Sequence, residues 1–83
     1  MKTNCTFFLE PSEEVEGRET VLAVFKIPEK SNCLLCYSLN EGHSSAEISY
    51  LKTLKLADKH QVISTIEALE ENYGLGINNV NPF

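Results

Sequence analysis

The 83-residue chain has no tryptophan, one methionine, three prolines and four glycines, and basic residues are scarce, seven against twelve acids. Each shortage excludes something. With so few lysines and arginines, the net charge of −5 leaves little surface for neutralising a phosphate backbone, so a general nucleic-acid binder is not expected. No apolar run approaches the roughly 20 residues that span a bilayer. The run Cys5–Leu9 stops at Glu10 and Pro11, too short for a secretory signal. Three cysteines, Cys5, Cys33 and Cys36, cannot close into a complete disulfide framework, and all sit among apolar neighbours. The expectation is a reduced, cytoplasmic chain. Low-complexity tracts, linkers and internal repeats are absent as well, so residues 1–83 read as one small domain.

Hydrophobic residues make up 42% and charged ones 23%, close to the globular average. Their spacing divides the chain in two. The first half alternates with period two. Asn4–Glu10 sets Cys5, Phe7 and Leu9 on one face, with Phe8 as the exception. Thr20–Ile27 is apolar on both faces, with Val21, Ala23, Phe25 and Ile27 opposing Leu22 and Val24. Such a strand is covered on both sides and is expected in the middle of the sheet. Cys33–Leu39 sets Leu34 and Cys36 against Cys33, Leu35, Tyr37 and Leu39. The short polar breaks between these segments predict an antiparallel meander.

From residue 44 the period becomes helical. Ser44 with Glu47 has capping-box spacing, and Ile48, Leu51 and Leu54 follow as a narrow stripe. Asp58 with Gln61 repeats the start signal. A second stripe follows in Val62, Ile63, Ile66, Leu69 and Tyr73, and Gly74 is placed to end that helix. Residues 75–80 offer a weakly specified last strand. The expected fold is α+β, an antiparallel sheet of three to four strands in the order β-β-β-α-α-β, with both helices packed on one face.

Candidate sites are few. Cys33 and Cys36 have metal-knuckle spacing, but residues three apart on a strand point to opposite faces, and no second ligand pair is present. No metal or cofactor is therefore assigned. His43 sits between Glu41-Gly42 and Ser44-Ser45, supplying the ingredients of a base, an orienter and a nucleophile. The competing reading gives Ser44 to a helix cap and His43 to the turn, so no catalytic residue is assigned. Lys52, Lys55 and Lys59 would line one face of a helix that ran through all three, a possible phosphate contact, though no aromatics are interleaved with them. Acidic side chains cluster twice, at Glu13, Glu14 and Glu16 within the 10–19 segment, and at Glu67, Glu70 and Glu71. Dense negative charge steers a domain toward a basic partner.

The stretch Cys36-Tyr37-Ser38, then Gly42-His43-Ser44-Ser45, Tyr50, Leu69-Glu70 and Tyr73-Gly74-Leu75 resembles a family of short proteins encoded by phages and mobile elements of bacteria. The resemblance covers about residues 33–77. It implies an accessory protein working in the bacterial cytoplasm and carries no activity, cofactor or ligand set. The expected function is a non-enzymatic interaction module, with a host protein or a second copy as partner. Contact would run through a sheet edge or an acidic surface comprising Glu13, Glu14, Glu16, His43, Glu67, Glu70 and Glu71. A nucleic-acid binder using the three lysines and a small enzyme around His43 are the alternatives.

Overall fold

A computed structural model describes residues 2–11, 16–74 and 76–80. Six strands form one sheet: β1 (Lys2–Pro11), β2 (Glu19–Lys30), β3 (Cys33–Ser38), β4 (Gly42–Glu47), β5 (Lys55–Leu56) and β6 (Gly76–Asn79). Two helices, α1 (Ile48–Leu51) and α2 (Ile63–Tyr73), complete the α+β fold. The sheet order is β4-β3-β2-β1-β5, with β6 beside β1 as well. The β1-β2-β3 meander is antiparallel with β2 in its middle, as the short connections require.

Turn chemistry sets the hairpins. Asn32 takes the left-handed conformation (φ 67°) in the two-residue connection between Lys30 and Cys33, and asparagine tolerates that region well. Gly42 (φ 74°) returns the chain from β3 into β4, while the Glu41 amide donates to Ser38 Oγ at 3.2 Å. Pro28 has no amide hydrogen, so β2 passes through it only by shifting register on both sides.

The sheet is apolar on both faces. Cross-strand partners share a face, and the register aligns Cys5 with Phe25, Phe7 with Ala23, and Ala23 with Tyr37. With Val62 and Leu69 of the α2 segment these residues make one core. Opposite it, Phe8, Leu22, Val24, Leu34 and Cys36 pack with Leu51 of α1. The two helices therefore cover opposite faces, and the sheet has six strands. Both points correct the expectation of three to four strands with the helices on one face. The physical reason lies in β1 and β2, whose apolar residues point both ways and need a cover on each side.

The largest local departure falls at residues 42–47. Ser44 and Glu47 form no capping box, because this stretch is a strand paired residue by residue with β3, from Cys33↔Glu47 to Ser38↔Gly42. Half-buried Gly42, Ser44 and Ala46 alternate with exposed His43, Ser45 and Glu47. The helix that follows is one turn long and has no side-chain cap. The Ile48 amide donates to the Asn32 carbonyl at 2.7 Å, fixing where that turn begins.

The second start signal forms a turn and not the cap of α2, which begins at Ile63 with Val62 as its N-cap and no side-chain cap bond. Asp58 Oδ1 accepts from the His60 and Gln61 amides, and Gln61 Oε1 accepts from the Asp58 amide at 2.8 Å. The buried stripe of α2 and its lead-in turn is Val62, Thr65 and Leu69 with half-buried Ile66. It is rotated from the expected one, leaving Ile63 48% exposed. Gly74 closes the helix in the left-handed conformation (φ 64°), donating to the Glu70 carbonyl at 2.8 Å.

The outer side of β1 is shared by two short strands. β5 runs antiparallel to Phe8 and Leu9, and β6 runs parallel to Lys2–Cys5. The Ala57 amide donates to the Phe7 carbonyl (2.9 Å) and the Val80 amide to the Cys5 carbonyl (2.8 Å).

Leu51→Ala and Leu69→Ala, one per face, should each lower stability by about 2–5 kcal/mol. Ile63→Ala, on the same helix as Leu69, should cost less than about 1 kcal/mol. Urea denaturation of the three variants checks this, and an equal cost at positions 63 and 69 would refute the rotated stripe.

Candidate functional site

Tyr37 on β3 and His43 on β4 are direct cross-strand partners, so their rings emerge on the same face of the sheet. The ring centroids are 5.3 Å apart in edge-to-face contact. Tyr73, in the last turn of α2, approaches both, 5.3 Å from His43 and 6.4 Å from Tyr37, again edge to face. His43 Nε2 and the Tyr73 hydroxyl share a hydrogen bond. A groove of about 200 Å³ opens beside this cluster, lined by Phe25, Ile27, Leu35 and Leu69 together with His43 and Tyr73. Ile27 and Tyr73 are about half exposed, at 50% and 47%.

The other face of the sheet carries a different hollow, of about 360 Å³, lined by Glu10, Glu41, Ser44, Ala46, Glu47 and Tyr50 among others. Tyr50 donates its hydroxyl to Glu10 Oε2 at 2.6 Å, tying α1 to the end of β1. The Glu10 charge reaches Cys36 on β3, where it adds to the effect of burial in raising the thiol.

Strand geometry settles the sequence candidates one by one. His43 opposes Tyr37 and Ser44 opposes Cys36, so the two neighbours point to opposite faces and do not combine as base and nucleophile. His43 instead joins two tyrosines from elements the sequence holds apart. Cys33 and Cys36 also diverge, as the spacing requires: Cys33 opposes Glu47 and Cys36 opposes Ser44. Among the described residues no three of His, Cys, Asp and Glu come together as a metal-binding group. Lys52 follows α1, Lys55 lies in β5 and Lys59 in the turn before α2, so no one helix runs through all three and the alternative basic face does not form. Glu67, Glu70 and Glu71 are exposed on α2, on the opposite side of the sheet from the Glu10 hollow. Glu16 is exposed beside Gly17, and Glu13 and Glu14 lie outside the described residues. No helix among the described residues is long and apolar enough to cross a membrane.

Sequence reasoning singled out His43 for its residue type but missed Tyr37 and Tyr73 as its partners. The available signal was parity: Tyr37 and His43 meet once 42–47 is a strand returning along Cys33–Ser38.

All three cysteines are free. Burial pushes the Cys5 thiol up to about 11. Cys36 also rises to about 11, through burial first and then the Glu10 charge, and its Sγ donates to the Leu34 carbonyl at 3.4 Å. Both are held as protonated, unreactive thiols at neutral pH. No family model, no curated protein and no solved structure matches the chain.

The raised thiols yield a prediction with a definite sign. Folding favours the neutral thiol, so this stabilisation is complete below pH 9, the ordinary value for the group, and is lost as pH rises from there toward 11. Urea midpoints should fall over that window, and less steeply in Cys5→Ala and Cys36→Ala. Iodoacetamide at pH 8 should modify half-buried Cys33 first and reach the other two only on unfolding. Equal labelling of all three in the native protein would overturn the burial argument.

Proposed function

We propose that the protein is a non-enzymatic interaction module that takes up an extended segment of a partner protein along β4. The observation that carries this reading is the sheet order, in which β4 ends the sheet and pairs only with β3 among the described residues. A strand edge offers a row of backbone donors and acceptors, and proteins usually blunt it with lysine, proline, a bulge or a very short strand. Gly42–Glu47 has little of this: its six residues hold no proline or lysine, its one acid is Glu47 at the strand's end, and its register with β3 runs without a shift. The opposite side of the sheet is blunted, because β5 has two residues and β6 four. Strand addition to an open edge is a recurring mode of polypeptide recognition.

Charge selects the partner. The chain carries −5, and Glu41 and Glu47 flank the open edge, so the incoming segment is basic. Glu67, Glu70 and Glu71 on α2 add to the field that draws it in. A second copy is the poorer occupant, since two chains of −5 would bring Glu41 and Glu47 of both to one seam. The resemblance over residues 33–77 supports a host protein of a bacterial cell as the partner and a phage or mobile element as the source.

Panning a displayed library of random twelve-residue peptides against the immobilised chain tests the proposal. Enriched peptides should be net basic, and the synthesised winners should slow amide hydrogen exchange at residues 42–47. Glu41→Lys with Glu47→Lys should weaken them about five- to tenfold. Winners without positive charge, or protection confined to another surface, would overturn it.

A further inference from the structure

The groove beside Tyr37, His43 and Tyr73 has the size and chemistry of a small-molecule site, separate from the backbone contacts of the β4 edge. We propose that it binds an aryl-alkyl monocarboxylate of about ten heavy atoms, with its ring among Phe25, Leu35 and Leu69 and its carboxylate at His43 and Tyr73.

Size fixes the tail. An apolar cavity of about 150 Å³ accepts benzene. The groove, at about 200 Å³, has room for a ring and a two-carbon tether, and is too small for a helix or a strand. Its walls suit an aromatic ring, since Phe25 and Tyr73 line it beside the aliphatic Ile27, Leu35, Leu69 and Ile77. Ile27 lines the groove and is 50% exposed, so a ligand seated there covers apolar surface now open to water.

Hydrogen counting fixes the head. Neutral imidazole has one N–H and tyrosine one O–H, and the bond between His43 Nε2 and the Tyr73 hydroxyl uses one of the two. Whichever tautomer is present, one donor hydrogen is left on the pair. The group that answers it is an acceptor, and a carboxylate only accepts. Charge agrees with this. No carboxylate side chain lines the groove, and Thr3 supplies the one other polar side chain. An anionic head therefore meets a hydrogen-bond donor and no opposing charge in the lining. The net charge of −5 would favour a cation at an unspecific site, which makes a preference for the acid diagnostic.

Titrations of the isotopically labelled chain, followed by nuclear magnetic resonance at neutral pH, compare 3-phenylpropionate, 3-phenylpropan-1-ol and 3-phenylpropylamine. The acid should give saturable shifts at Ile27, His43, Tyr73 and Ile77. The alcohol should bind about tenfold more weakly, and the amine more weakly still. The double variant His43→Ala, Tyr73→Phe, altered at exposed positions, should bring the acid down to the level of the alcohol while ring binding persists. Ile27→Trp, which adds bulk to the groove wall from a half-exposed position, should abolish binding of all three with the melting temperature retained. An amine that matches the acid, an acid preference that survives the double variant, shifts that map elsewhere, or no saturable shift would each overturn the assignment.

Discussion

The fold depends on the burial of β1 from both sides. Cys5, Thr6, Phe7, Phe8 and Leu9 are five consecutive residues, none more than 9% exposed. Because a strand sends successive side chains to opposite faces, no single cover can shelter them. One layer comes from α2 and its lead-in turn, the other from α1 and the turn after it. A four-residue helix has no stability of its own in water. It persists because Leu51 is fully buried against Phe8, Leu22 and Val24, and because the chain on each side is hydrogen-bonded into the sheet, at Asn32 and then through β5. The covering segments are thus products of the sheet's apolar demand more than of helix propensity.

A shortage of chain keeps the covers small. Eleven residues of α2 extend about 16 Å, at 1.5 Å per residue. The ten residues of β1 extend about 33 Å. A helix half the length of that strand shelters only part of the apolar face it packs on. Tyr73 stands in the last turn of α2, and its contacts with His43 and Tyr37 join the helix end to the outer hairpin. The groove's polar end, His43 with Tyr73, follows from the meeting of β4 with the end of α2.

Much of the sheet was legible in the sequence, because alternation is a local signal. Leu22 and Val24 opposing Val21, Ala23 and Phe25, and Leu34 and Cys36 opposing Tyr37, all sit on the faces their parity requires. The same residues already implied two covered faces, and placing both helices together overlooked that demand. Ser44 with Glu47 and Asp58 with Gln61 present the same start signal, yet only the second forms the reciprocal hydrogen bonds, and it does so in the turn that leads into α2. What separates them is tertiary. After Asp58 the positions 62, 65 and 69 are buried with 66 half-buried beside them, whereas residues 42–47 lie next to β3, whose outer edge otherwise lacks a partner among the described residues. Gly-His-Ser-Ser-Ala-Glu has little strand propensity, so no local rule assigns it to a sheet. With β4 hidden, the meeting of His43, Tyr37 and Tyr73 was hidden too.

Parity then decides where chemistry can assemble. Neighbours on β4 do not cooperate: His43 faces the aromatic cluster and the apolar groove, while Ser44 faces the hollow of Glu10 and Tyr50. Cys33 and Cys36 are separated in the same way. In this chain functional groups meet across strands and seldom along them, so sequence motifs built on adjacency mislead. The outermost strand consequently borders two unlike environments, an aromatic and apolar one carrying a single imidazole and an acidic one carrying a tyrosine–carboxylate bond. A polypeptide laid along β4 would alternate its side chains between those environments, and its own pattern of period two would have to match both. The open edge supplies backbone contacts that any sequence can make; the two faces flanking it are what can tell one sequence from another.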